Sequence, residues 1–129
     1  MGADAAYIGS AFIATREANA SAAYKASIVA SAAGDIVYTN FFTGVHGNYL
    51  KSSILAAGLD PDDLPQSDLR KMDFGGETAA NAWRDIWGSG QGIGAIDAVA
   101  DVASLVARLR AEYAAARAEL LANSARFAP

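Results

Sequence analysis

The 129-residue chain carries 10 Lys and Arg against 14 Asp and Glu, one His and no Cys, for a formal net charge of −4. This length suits one domain that can bury a core without staples, and the lack of cysteine excludes disulfides, thiolate-held zinc or iron–sulfur sites and a thiol nucleophile. The acidic balance argues against a nucleic-acid partner, and the 53% hydrophobic content argues against disorder.

Alanine inflates that content: there are 31 Ala, so the twelve Phe, Tyr and Trp must supply much of the core. A lone His cannot build a His-based metal cluster. No stretch reaches the roughly 18 uninterrupted apolar residues of a membrane span, and Met1-Gly2-Ala3-Asp4 has no basic leader region. Gly2 suits a myristoylation start, but Ala6 stands where that motif prefers Ser or Thr. A cytoplasmic chain with no membrane partner is expected.

Residues 5–13 (AAYIGSAFI) form an apolar, aromatic run of the kind buried on both faces in parallel sheets, so a strand is expected. Asn19 and Ser21 both qualify as N-caps for a helix running to about residue 33, with Tyr24, Ile28 and Val29 on its apolar side and Gly34 at C′. Residues 35–42 (DIVYTNFF) read as a second strand and residues 43–48 (TGVHGN) as a loop holding His46. Asn48 is placed to cap a helix over 49–57, which Gly58 stops. Residues 60–76, with Pro61, Pro65 and Gly75-Gly76, form an acidic loop long enough to be functional or mobile. A short helix over 78–87 carries Trp83, Ile86 and Trp87. After a glycine-rich connector over 88–94, one helix is expected from residue 96 to about 124. Val99, Val102, Val106, Leu109, Tyr113, Ala116 and Leu120 repeat along it at spacings of three and four.

The glycines of GSGQGIG alternate and follow a Trp-containing helix, so this is not the G-x-G-x-x-G turn of a dinucleotide site. It is either a flexible connector or a loop that lets backbone pass close to a ligand, with Gln91 as its polar group. His46 has no nameable nucleophile or base partner. Asp60, Asp62, Asp63 and Asp68 lack the spacing of a calcium loop and read as solvated charges. Tyr7-Ile8-Gly9-Ser10 would end a strand in Gly-Ser before a helix, offering free N–H groups and a hydroxyl to a phosphate.

Taken in order, MGADAAYIGSAFIATREANA, VYTNFFTGVHGNYL, WGSGQGIGAIDAV and the terminal helix resemble the C-terminal part of the nitronate monooxygenase (2-nitropropane dioxygenase) family. Its members are FMN-dependent TIM barrels that oxidise alkyl nitronates with dioxygen. The resemblance implies an α/β chain: the last barrel strand at residues 7–12 plus a mainly helical C-terminal extension. Residues 1–34 would hold that strand and its helix, 35–94 the extension, and 95–129 the terminal helix. Gly9 and Ser10 match the pair that holds the FMN phosphate, which agrees with the barrel habit of binding phosphate after the last strands. Tyr7 and Ile8 lead into that turn, while His46, Gly90 and Gln91 would border the pocket. The family's catalytic His lies on an earlier strand and is not matched by His46, so no catalytic residue is assigned.

A complete barrel needs about 250 residues, so the resemblance implies a fragment inactive alone, with Met1 matching an internal stretch of the family pattern. Two further readings stand beside it. One is a non-enzymatic interaction protein that self-associates through its terminal stripe or a Trp83/Trp87 patch. The other is one half of a split barrel whose N-terminal half is a separate chain. A strand so exposed at its edges also leads us to expect marginal stability or self-association.

Overall fold

The computed structural model describes residues 5–66 and 84–126. These form a small mixed α/β unit with a two-stranded antiparallel sheet, and not a barrel.

The first expectation fails at once. Residues 5–9 are exposed coil, and the chain then turns helical at Ser10–Ile13 (α1) with Gly9 at its N-cap. Neither the strand over 5–13 nor the barrel strand over 7–12 is formed. A short apolar run serves equally as buried strand or buried helix. With no described strand beside it to take up its backbone groups, local bonds prevail: Ile13 N–H donates to Gly9 O (3.1 Å) and Ala14 N–H to Ser10 O (3.2 Å). The helical turn swings Ala11, Ile13 and Ala14 onto the core and leaves Tyr7 104% and Ile8 40% exposed.

Ser21 proves to be the N-cap of α2, Ala22–Val29, accepting the Tyr24 N–H. The helix stops four residues short of the expected end. Asp35 draws the Ala32 N–H to its carboxylate (2.8 Å) and starts a 3₁₀ turn, Ala33–Asp35, so Gly34 lies inside that turn and not at a helix C′. Strand β1, Ile36–Thr39, pairs with β2, Gly47–Leu50, in the register Ile36↔Leu50 to Thr39↔Gly47. The expected strand over 35–42 is thus trimmed, and its partner takes the end of the expected loop. Helix α3, Lys51–Ala56, follows directly, so Leu50 rather than Asn48 stands at its N-cap. Its end is as expected: Gly58 adopts φ +77°, its N–H donating to Leu55 O and that of Leu59 to Ile54 O. That double closure needs a left-handed residue, which glycine supplies without a Cβ clash.

Of the expected helix over 78–87, residues 78–83, Trp83 among them, lie outside the described residues, as do Asp68 and the Gly75-Gly76 end of the acidic loop. Trp87 is not helical. Residues 87–89 run beside β2, with Leu50 N–H bonded to Trp87 O (2.8 Å) and Ser89 N–H to Asn48 O (3.2 Å). Gln91–Ala95 make a 3₁₀ turn. The long helix α4, Val102–Arg126, begins six residues later than expected because Ile96 is drawn into the core and Asp101 caps it, accepting the Ser104 N–H (2.7 Å).

The core joins Ala14, Ile28, Leu50, Ile93 and Ile96, so residues before 35, between 35 and 94, and after 95 share one interior. Arg16 N–H donates to Ala100 O (2.8 Å) and the Arg16 guanidinium pairs with Asp101 (2.6 Å), fixing the root of α4. The Glu17 carboxylate receives the Val102 N–H at the same place. Among the described residues no helix is long and apolar enough to cross a membrane.

Candidate functional site

Four consecutive residues, Trp87-Gly88-Ser89-Gly90, form a strap that is bonded to α1, α2, β2 and α3. At its first residue, the Trp87 N–H donates to Ser53 Oγ (3.0 Å), whose own hydroxyl donates to Leu50 O (2.8 Å). Ser53 is buried, so it satisfies a donor that would otherwise be stranded. The Trp87 indole stacks on Tyr24 at 5.1 Å between ring centroids, and the Tyr24 hydroxyl donates to Gly88 O. Burial against the strap pushes the Tyr24 phenol above its ordinary pKa, because phenolate would be desolvated there.

At its far end the strap meets α1. Ser10 Oγ accepts the Gly90 N–H (2.9 Å) and the Ser89 hydroxyl (3.0 Å). Two residues singled out separately in the sequence, Ser10 for a phosphate and Gly90 for a pocket border, are therefore neighbours. Gly9 caps α1 beside them, and Gln91, exposed, opens the 3₁₀ turn that follows. Neither glycine is demanded by the fold: Gly90 has φ −81°, and a Cβ there would meet Ser10 Oγ at an ordinary 3.7 Å. At Gly9 a Cβ would meet only the Tyr7 ring, at 3.9 Å.

His46 is placed elsewhere. It is exposed and stacks on Tyr38 of β1 at 4.9 Å, and Tyr7 and Ile8 lie in the exposed coil. What the sequence did not mark is the cleft on the other side of the strap. It encloses about 430 Å³ between α2, the turn before β2 and residues 84–88. Tyr24, Trp87, Phe42 and Tyr49 make its aromatic wall, with Thr43 and Arg84 at its polar edge. Phe42 packs edge-on against Tyr49 at 5.0 Å. The Arg84 charge is already engaged by Asp85 through two 2.8 Å bonds, which hold the Asp85 carboxyl below its usual range. The advance signals of this wall are the aromatic enrichment of residues 38–49 and 83–87 and the place of Tyr24 on the apolar side of its helix.

Compared with protein-family models, with curated proteins and with solved structures, the chain finds no match in any of the three.

Proposed function

We propose that this chain is the C-terminal part of an FMN-dependent oxidoreductase of the nitronate monooxygenase type, cytoplasmic, and not active by itself. One observation carries the reading: Ser10 and Gly90, 80 residues apart, share a hydrogen bond at a site where the fold gives no reason for glycine. A hydroxyl beside backbone that carries no side chain suits a phosphate oxygen. Ser10, Ser89 and the backbone at Gly9 and Gly90 would hold the phosphate end of FMN, with Gln91 beside them. The chemistry FMN supplies when bound is electron transfer from an alkyl nitronate to dioxygen, while the protein orients both.

The exposed Tyr7 and Ile8 fit the same reading, since apolar residues left in water suit a segment whose neighbours lie on other parts of a barrel. The test is a calorimetric titration of the 129-residue chain with FMN and with riboflavin, which lacks the phosphate. The expected result is tighter binding of FMN and loss of that preference in Ser10→Ala. Equal binding of the two flavins, or binding of neither, would overturn the reading.

A further inference from the structure

Helix α4 outruns the body it is docked on. Its one buried residue is Leu105, and every residue over 110–126 is exposed. Yet the overhang carries large apolar side chains in water: Tyr113 is 72% exposed and Leu120 69%, with Val106 at the root 39% exposed. Val106, Tyr113 and Leu120 fall seven residues apart, and Leu109 and Ala116 stand three residues after the first two. These spacings match the a and d positions of a coiled coil; Leu109 is half-buried at the root, and Leu121, 60% exposed, stands beside the seam. In heptad terms Val106, Tyr113 and Leu120 occupy a, and Leu109, Ala116 and Asn123 occupy d. Arg110 and Arg117 then fall at e, and Glu112 and Glu119 at g.

We infer that α4 pairs with the α4 of a second copy of this chain, as a parallel, in-register two-stranded coiled coil. The flanking charges select both the occupant and the direction. In a parallel pair each g residue faces the e residue five positions further along the partner. Glu112 of one copy then faces Arg117 of the other, and the twofold axis repeats the pair. An antiparallel pair would set e against e and g against g, bringing Arg against Arg and Glu against Glu. Among the described residues Glu112 pairs with the exposed i,i+4 Arg108 at 3.7 Å, a contact weak enough to yield. This surface is independent of the flavin reading.

The test is sedimentation velocity on the 129-residue chain over a range of micromolar concentrations, expected to show a dimer of the 13.3 kDa polypeptide. Tyr113→Glu combined with Leu120→Glu, both at exposed positions, should weaken the dimer about 100-fold without altering the near-ultraviolet circular dichroism of the body. Glu112→Arg and Arg117→Glu should each weaken self-pairing and recover it when the two variants are mixed. Asn123→Cys, in a chain with no other Cys, should link to itself under oxidised glutathione. A monomer at all concentrations would refute the pairing, and so would a dimer indifferent to the double variant. A dimer that Asn123→Cys fails to link would refute the parallel direction.

Discussion

The body and the overhang of α4 are held together by different physics. In the body, helices are short (four, eight and six residues), and each depends on what it touches: Ile28, Leu50, Ile54 and Ile93 are wholly buried. Isolated helices of that length do not persist in water. The overhang reverses the terms. Helix α4 runs for 25 residues rich in Ala, Leu, Arg and Glu, the strongest helix formers, with nothing but Leu105 buried. One region is specified by tertiary packing and the other by local propensity, so equal changes in the two should have unequal consequences.

The largest effect is expected at Ile93→Ala. Removing a fully buried side chain from the centre of the core should cost about 2–5 kcal/mol, read as a lower midpoint in urea for the near-ultraviolet signal. If the far-ultraviolet helical signal fell in step, the two regions would be one cooperative unit and the contrast would break. A smaller effect is expected in acid. Hydrogen bonds from Ser104, with the charge of Arg16 nearby, hold the Asp101 carboxyl below the ordinary carboxylate range. The stability it lends is present above the ordinary carboxylate pKa and is lost as pH falls through its depressed value. The Asp101 cap should therefore loosen only in strongly acid solution, seen as faster amide exchange at Ser104, and Asp101→Asn should remove that pH dependence there. The smallest effect on the body is expected at Ala115→Gly in the exposed overhang. It should lower local helix stability by about 1 kcal/mol, visible as reduced far-ultraviolet ellipticity, and leave the body's urea midpoint unchanged.

The same contrast explains which features could be read from the amino acids. Where a signal is local, it was legible: Ser21 as a cap, Gly58 as a stop, the β-branched stretch at Ile36–Thr39, and the periodic run of α4. Where the outcome depends on distant partners, it was not. Residues 7–12 have the composition of a buried strand, yet strand and helix differ there only by whether a neighbour offers hydrogen bonds. Gly47–Leu50 became a strand because β1 and residues 87–89 flank it, which nothing within those four residues announces. Leu105, the residue that docks α4, falls outside the regular stripe, between the half-buried Val102 and Leu109. In the site, Ser10 and Gly90 were picked out, but their meeting was not foreseeable. Ser53, Tyr24 and Ser89 were missed because hydroxyls gain their roles only from the backbone brought to them.

The strap also sets the order in which the molecule can be assembled. Its hydrogen bonds join Trp87 to Ser53 across 34 residues, Gly88 to Tyr24 across 64 and Gly90 to Ser10 across 80. Contacts so distant along the chain close slowly, because loop entropy must be lost before they form. Helix α4 needs no such closure and winds within microseconds. During synthesis the first half of the body must wait until the strap has left the ribosome, with Ile28, Leu50 and Ile54 still in water. Of the described elements α4 is thus the one able to form unaided although it follows the strap along the chain, while Ser10 and Tyr24, which precede the strap, are among the last groups to be fastened.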